Sequence, residues 1–289
     1  MTQHMEQPQD GPVASASPHW SAVCLNCGAP LQGPFCSRCG QRALPPHPTT
    51  RELAGDVYAR LVGWDGKLAA TIRLLLRRPG ELTRALLEGQ RAKYVSPVRV
   101  YLACSLLYFV VAAAAPLPDV AKAFTAGLAA LTPEERSAAE ARIATMPGLL
   151  RPIVHAMAVD YPALRRSISE TMPRALFALI PALAAILGLF YRGRPYPDHL
   201  YFAIHFQAFV FLMLTLQAAT QYTASLTLLG VVQTVTRAWI VVYAVIAQRR
   251  VYGGSWLATG LRATGIAALY GTLWSAISLG VALWVVRAG

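Results

Sequence analysis

The chain has 289 residues, of which 55% are apolar and only 14% are charged, against about 45–50% and about 25% in a typical soluble domain. This composition excludes an ordinary soluble enzyme. Lys and Arg number 26 and Asp and Glu number 14, which gives a formal net charge of +12. A basic excess in so apolar a chain suggests an anionic membrane surface before nucleic acid. We therefore predict an all-α polytopic membrane protein with a small water-soluble head.

Residues 1–20 are polar and contain neither a basic stretch followed by an apolar run nor any other sign of a cleavable signal peptide. Their composition predicts a disordered N-terminus. A cysteine-rich module follows over 22–42, and residues 43–97 are predicted to form a linker and cytoplasmic helices. The linker is rich in proline, and the first helix is expected over about 50–63.

Four of the five cysteines form two Cys-x-x-Cys pairs, each followed by a glycine that relieves a tight turn. Two such knuckles at this spacing predict one tetrahedral site, and four soft thiolates favour Zn²⁺. An iron–sulfur or redox dithiol site is the alternative. Because the protein supplies all four ligands, the zinc would be structural. The predicted ligands are Cys24, Cys27, Cys36 and Cys39; the fifth cysteine, Cys104, is interpreted as a packed hydrophobic residue.

The segment before the first apolar run predicts two basic amphipathic helices. Leu68, Ile72 and Leu75 recur at helical spacing between basic residues, Pro79-Gly80 breaks the pattern, and it resumes over 81–88. Either these helices present a solvated basic face beside a membrane entry, or they lie on anionic lipid. Both interpretations place them in the cytoplasm. The residues predicted to meet lipid headgroups are Lys67, Arg73, Arg77, Arg78, Arg91 and Lys93.

About five transmembrane helices are expected, one over 98–116 and four within 174–289. The apolar runs of the second group are 174–191, 199–221, 224–247 and 261–286. Residues 117–172 form a helical insert with a strong helix start at Thr132-Pro-Glu-Glu.

Charge predicts the orientation. The short loops that join the spans on the N-terminal side carry Arg192, Arg194, Arg249 and Arg250, whereas the insert is balanced between acids and bases. By the positive-inside rule the N-terminus is cytoplasmic and the insert and the C-terminus lie outside. The expected location is the bacterial inner membrane, and a zinc–thiolate site suits its reducing cytoplasmic side.

Polar residues within the spans are candidates for a site, because each is costly in lipid unless it faces protein or water. At 100° per residue, His199 shares a stripe with Gln207, Gln217 and Gln221, whereas His205 lies off it. The stripe is typical of hydrogen bonding between helices, and a polar track for a substrate or proton is the alternative. Arg237 lies midway along the fourth span, with no acid in any predicted span to meet it.

Several motifs occur in a specific order: the CxxCG…FCxxCG ribbon, Trp64-Asp-Gly-Lys, an Arg-Pro-Gly turn at 78–80, Glu88-Gly-Gln-Arg-Ala-Lys-Tyr, and the His199-to-His205 stretch. In this order the chain resembles the bacterial membrane family catalogued as domain of unknown function 3667, over roughly residues 22–255. The resemblance implies a membrane location and a zinc ribbon, but no established activity. Gln90 and Gln207 depart from the basic residue and the histidine that are common at these positions in the family.

No catalytic constellation is found, so we expect a non-enzymatic protein. The leading hypothesis is a ribbon and basic helices that bind a cytoplasmic protein partner or anionic lipid. The alternative is a small-solute or proton-coupled transporter that uses the polar stripe and Arg237. A lipid-modifying enzyme with His199 or His205 as its base is a third reading. Nucleic acid is disfavoured because the ribbon carries only Arg38 and Arg42. The sequence indicates no oligomeric state.

Overall fold

The computed structural model describes residues 22–43, 67–115, 126, 130–159, 161–222 and 225–288. The predicted disordered segment 1–20, the proline linker and the predicted helix over 50–63 lie outside these residues. So does part of the predicted insert.

Residues 22–43 form a small module, here called the ribbon, from two knuckles of the same construction. Each knuckle is closed by a single antiparallel bridge, between Val23 and Pro30 in the first and between Phe35 and Arg42 in the second. Each turns at a glycine with positive φ, 73° at Gly28 and 70° at Gly40, a backbone conformation that residues with a Cβ rarely adopt. The two turns bring both cysteine pairs to one side of the module.

The rest of the described chain is helical. In chain order the helices are α1 (Lys67–Arg77), α2 (Glu81–Leu87), α3 (Pro97–Ala114), α4 (Pro133–Thr145), α5 (Arg151–Val159), α6 (Tyr161–Phe190), α7 (Tyr196–Ala219), α8 (Leu226–Tyr252) and α9 (Trp256–Ala288), with a 3₁₀ turn at Thr220–Tyr222 after α7.

Local chemistry accounts for several helix ends. Thr132 and Glu135 form a capping box at the start of α4, in which each side chain accepts a hydrogen bond from the other's backbone N–H. Pro79 and Gly80 lie between α1 and α2, at the turn where the first helix ends and the second begins. A Cβ at Gly80 would lie 2.8 Å from the Ala247 carbonyl oxygen, so the turn can rest directly on the backbone of α8.

Within the part of the chain that the structure describes, four helices are long and apolar enough to cross a membrane: α3, α7 with its 3₁₀ turn, α8 and α9. The predicted all-α membrane architecture is thus confirmed. The region predicted as the span 174–191 belongs to α6, whose apolar part, Leu176–Phe190, is shorter than the about 20 residues that a crossing helix needs.

The five helices α3 and α6 to α9 nevertheless run between the same two ends of the bundle. At one end, here called the ribbon end, Tyr191 after α6 donates a hydrogen bond to Gln248 of α8, and Arg250 of α8 donates one to the Pro79 carbonyl. At the far end Tyr222 reaches the Val111 carbonyl of α3. Helices α4 and α5 also lie at the far end, beside the end of α9.

Helix α7 is the centre of the bundle. Of its apolar window 56% is buried within the protein, against 11% for α8 and 6% for α9. The latter two helices therefore direct most of their apolar surface outward, as helices that face lipid do. Phe209 of α7 stacks on Tyr243 of α8 with ring centroids 3.6 Å apart, and α7 also packs against α2, α3 and α6.

Candidate metal centre and the surface that holds it

The four cysteines of the ribbon meet at one point. Their sulfur atoms all lie within 4.8 Å of one another, and the Cys24–Cys39 and Cys27–Cys36 pairs are each 3.6 Å apart. A disulfide would require about 2.05 Å, and all four cysteines are free thiols. Four thiolates at about 2.3 Å from one tetrahedral ion would lie about 3.8 Å apart. The arrangement therefore fits a metal ion, as the sequence predicted.

The ionisation of these thiols also fits a cation. Burial raises the pKa of Cys39, but hydrogen bonds from the Gln41 backbone, Asn26 and two neighbouring thiols lower it to about 6. The Ala29 backbone lowers the pKa of Cys27, but burial and the other three thiols raise it to about 11. The Cys39 thiol thus loses its proton readily, whereas the neighbouring thiols disfavour ionisation of Cys27. A cation bound by all four sulfur atoms would remove that effect.

The ribbon is docked on the loop of residues 88–96, here called the docking loop, which joins α2 to α3. The side chain of Gln41 is buried, and its amide donates a hydrogen bond of 2.7 Å to the Gly89 carbonyl. Its oxygen accepts hydrogen bonds from the backbone N–H groups of Arg91 and Ala92, at 2.9 and 3.0 Å. One side chain therefore makes three hydrogen bonds to the docking loop.

Leu25 adds an apolar contact to the same loop. Gly89 has φ +87°, and a Cβ there would lie 2.6 Å from the Leu25 side chain. Only glycine therefore suits this position, both for its backbone conformation and for the closeness of the ribbon. The ribbon rests on the helical part of the protein through both of its knuckles, since Leu25 belongs to the first and Gln41 to the second.

The docking loop is itself fixed to α1. Lys67 donates a hydrogen bond of 3.1 Å to the Ala92 carbonyl, and Thr71 accepts one of 3.2 Å from the Val95 amide. Helices α1 and α2 pack onto the bundle in turn, since Leu75 and Leu82 are buried in the common core. Tyr243 of α8 donates a hydrogen bond of 2.9 Å to the Leu75 carbonyl.

The residues predicted to meet lipid headgroups divide into two groups. Arg91 is 9% exposed in the docking loop beneath the ribbon. Apolar residues of α1 and α2 pack against the bundle. The basic residues that stay exposed are Lys67, Arg73, Arg77, Arg78 and Lys93.

The candidate intramembrane residues have separate partners. His199 is 1% exposed, and its Nδ1 lies 2.9 Å from the Tyr252 hydroxyl of α8. His205 Nδ1 lies 2.9 Å from the Thr83 hydroxyl of α2.

The glutamines reach other helices. Gln207 donates to the Tyr270 hydroxyl of α9, and Gln217 donates to the Thr236 hydroxyl of α8 at 2.5 Å. Gln221 lies in the 3₁₀ turn at the far end. The members of the predicted stripe therefore bond to more than one neighbouring helix.

Arg237 lies apart from these residues, on the exposed side of α8, where its guanidinium is 3.5 Å from the Gln233 side-chain oxygen. The structure does not bring it together with His199, His205 or Gln207.

Two features of the structure are not predicted from the sequence. Helix α7 begins before the predicted span, and this brings Asp198 into it, 2% exposed and 3.7 Å from Arg194; an acid is thus present in a candidate span after all. Its position directly before His199 was the available signal. Gln41 was also missed, although the sequence shows Cys-Gly-Gln in one knuckle and Cys-Gly-Ala in the other.

A segment of the chain matches a known family model. No curated protein and no solved structure matches the chain. Residues 65–109, which span α1, α2, the docking loop and most of α3, match the family model described as "Protein of unknown function (DUF3667)", and the resemblance seen in the sequence is confirmed over that segment.

Proposed function

We propose that the protein is a non-enzymatic, multi-pass protein of the bacterial inner membrane that binds a cytoplasmic protein partner through a zinc ribbon. The ribbon end faces the cytoplasm, and the end of α9 faces outward. The observation that carries this proposal is that the ribbon is held against the bundle yet keeps large apolar side chains in solvent. Phe35 is 61% exposed and Val23 is 48% exposed.

The metal assignment rests on the ligand set. Four thiolates with tetrahedral spacing suit Zn²⁺, and because the protein fills all four positions, none remains for a substrate or a reactive water. The role of the ion is then to hold a module that is too small to have a core of its own.

The orientation rests on charge. The ribbon end collects the exposed basic residues of α1 and the docking loop, those of the short loop after α6, and the half-buried Arg249 and Arg250 in the last turn of α8. Such residues are favoured on the cytoplasmic side and beside anionic headgroups. We expect the lipid to orient the protein through these charges, while the ribbon recognises the partner.

The chemistry of the partner follows from the ribbon's side chains. Residues 22–43 include Arg38 and Arg42 and no acidic residue, and both arginines are exposed. Exposed aromatic side chains are the usual anchors of protein interfaces, and charge complementarity governs the choice of partner. An acidic protein surface with an apolar pocket for Phe35 fits these features.

Affinity capture of the full-length protein from detergent tests this proposal. Phe35→Ala should remove the specific partner, with an affinity loss of about 30-fold or more if Phe35 is an anchor of about 2 kcal/mol. Ser37→Ala, also an exposed ribbon position, is the matched control and should capture the partner normally. A set of captured proteins that is the same for the wild type and for Phe35→Ala would refute partner binding through the ribbon.

A transporter is the second candidate. The buried Asp198 and His199 at the ribbon end favour it, because such groups within a membrane bundle often mark a proton or ion path. Against it, Gln207 and Gln217 bond to different helices and Arg237 lies on an exposed face. If Asp198→Asn and His199→Gln together leave a deletion phenotype fully complemented, the transporter loses its best-supported residues.

A further inference from the structure

Gln41 connects the metal centre to the docking loop. Its backbone hydrogen-bonds the Cys39 thiol, and its carbonyl accepts a hydrogen bond of 2.9 Å from the Cys36 amide. Its side chain makes the hydrogen bonds to Gly89 and Ala92 described above. One residue therefore touches two metal ligands through its main chain and the docking loop through its side chain.

The first knuckle shows what the second would be without this connection. Ala29 holds the position equivalent to Gln41, and the Cys24 amide donates to its carbonyl at 2.8 Å, as the Cys36 amide does to Gln41. Ala29 likewise hydrogen-bonds the Cys27 thiol through its backbone. Since alanine completes the first knuckle, the knuckle fold does not need a glutamine side chain. The Gln41 side chain serves docking and not the fold of the ribbon.

A second difference between the knuckles also concerns contact with the docking loop. Leu25, between the first pair of ligands, packs on Gly89, whereas its equivalent in the second knuckle is Ser37, which is exposed. The two knuckles are alike at the residues that hold the metal. They differ at two pairs of equivalent positions, and in each pair one residue contacts the docking loop: Leu25 but not Ser37, and Gln41 but not Ala29.

We propose that metal occupancy of the ribbon and the conformation of the docking loop are coupled through Gln41. With the metal bound, the second knuckle is folded and the Gln41 side chain is aimed at Gly89 and Ala92. Without it, the knuckle loses the interactions that hold Gln41, and the docking loop loses its three hydrogen bonds to the ribbon while Lys67 and Thr71 still hold it to α1. Because coupling between two equilibria is reciprocal, docking also strengthens metal binding by the same factor. This inference goes beyond the proposed function and does not depend on any partner.

Hydrogen exchange tests the coupling in the full-length protein, purified in detergent and kept reduced. The reporter is the Ala92 amide, which donates to Gln41 Oε1. Chelation of zinc with EDTA should accelerate its exchange about tenfold or more in the wild type, as expected when hydrogen bonds of ordinary strength are lost. In Gln41→Ala the amide should exchange rapidly with zinc present, and chelation should change its rate little.

Gln32→Ala is the matched control, because Gln32 is an exposed glutamine of the same ribbon, and it should exchange like the wild type. Titration against a chromophoric chelator supplies the second readout. Gln41→Ala should weaken zinc binding by the factor by which zinc protects Ala92 in the wild type.

Ala92 exchange that is equal with and without zinc in the wild type would overturn the coupling, even if Gln41→Ala failed to fold. Wild-type exchange in zinc-loaded Gln41→Ala would overturn the role of Gln41. Neither readout involves capture of a partner, so failure here is distinguishable from failure of the proposed function.

Discussion

Among single residues, the metal ligands can be predicted from the sequence, whereas the contact of Gln41 with the docking loop cannot. The four ligands and the two glycines lie within one short segment, so their spacing alone predicts their geometry. The importance of Gln41 depends on a loop 48 residues further along the chain. No local pattern can predict such a contact, because it exists only after the ribbon and the docking loop have folded.

The ligand set predicts a specific loss of metal. Cys39→Ser should remove most of the zinc from the purified protein, which in the wild type should contain about one ion per chain. Cys104→Ala is the control, because Cys104 is buried in α3, away from the ribbon, and it should retain the zinc. The measurement is zinc content per chain by elemental analysis; equal content in Cys39→Ser and the wild type would contradict the site.

At the scale of elements, apolar periodicity located the helices better than it located their ends. Helix α9 begins at Trp256 and not at about 261, and α7 begins at Tyr196 and not at about 199. At α7 the first turn contains Pro197 and Asp198, which weaken a hydropathy signal but favour a helix start. At α9, Ser255 accepts a hydrogen bond from the Ala258 amide. The misplaced start of α7 is the reason that Asp198 was left out of the span.

The surface against which α1 and α2 pack could not be predicted from the sequence either. Their amphipathic pattern fits a lipid surface and a protein surface equally well, because both accept an apolar face. In the structure this segment packs on protein, since Tyr243 of α8 donates a hydrogen bond to the Leu75 carbonyl and Gly80 contacts the backbone of α8.

The hydrogen bond between Gln217 and Thr236 predicts a measurable link between α7 and α8. Gln217→Leu and Thr236→Val should each destabilise the bundle, and the double mutant should be less destabilised than the sum. The expected coupling is about 0.6 kcal/mol, with about 1.7 kcal/mol as the upper range. Denaturation in detergent measures it. Additive effects of the two substitutions would show that the glutamine does not join the helices.

In the whole molecule as far as the structure describes it, five helices run between the ribbon end and the far end, and four of these are long and apolar enough to cross a membrane by themselves. Burial of α6 against α7 and α9 accounts for the difference, because a helix enclosed by others needs less apolar surface than one that faces lipid. Leu179, Leu183 and Leu187 of α6 are all buried. Hydropathy alone cannot separate these cases, since it does not record what covers each helix.

This arrangement predicts the position of the C-terminus. If all five helices cross, the C-terminus lies on the opposite side of the membrane from the ribbon. Alkaline phosphatase fused after the last residue should then be active, and green fluorescent protein fused there should be dark. The same reporters fused within the loop at 192–195 should give the opposite pattern. Cytoplasmic activity of the C-terminal fusion would contradict five crossings.

We propose that a ribbon fixed to the membrane bundle meets a protein partner in the cytoplasm. Photo-crosslinking in intact cells tests it most directly, with a photoreactive phenylalanine analogue at position 35 and, as the control, at position 37. We expect a discrete crosslinked product from position 35 that disappears in a Cys39→Ser background, where the ribbon can no longer hold its metal. No crosslink from position 35, or a product that persists unchanged with Cys39→Ser, would contradict it.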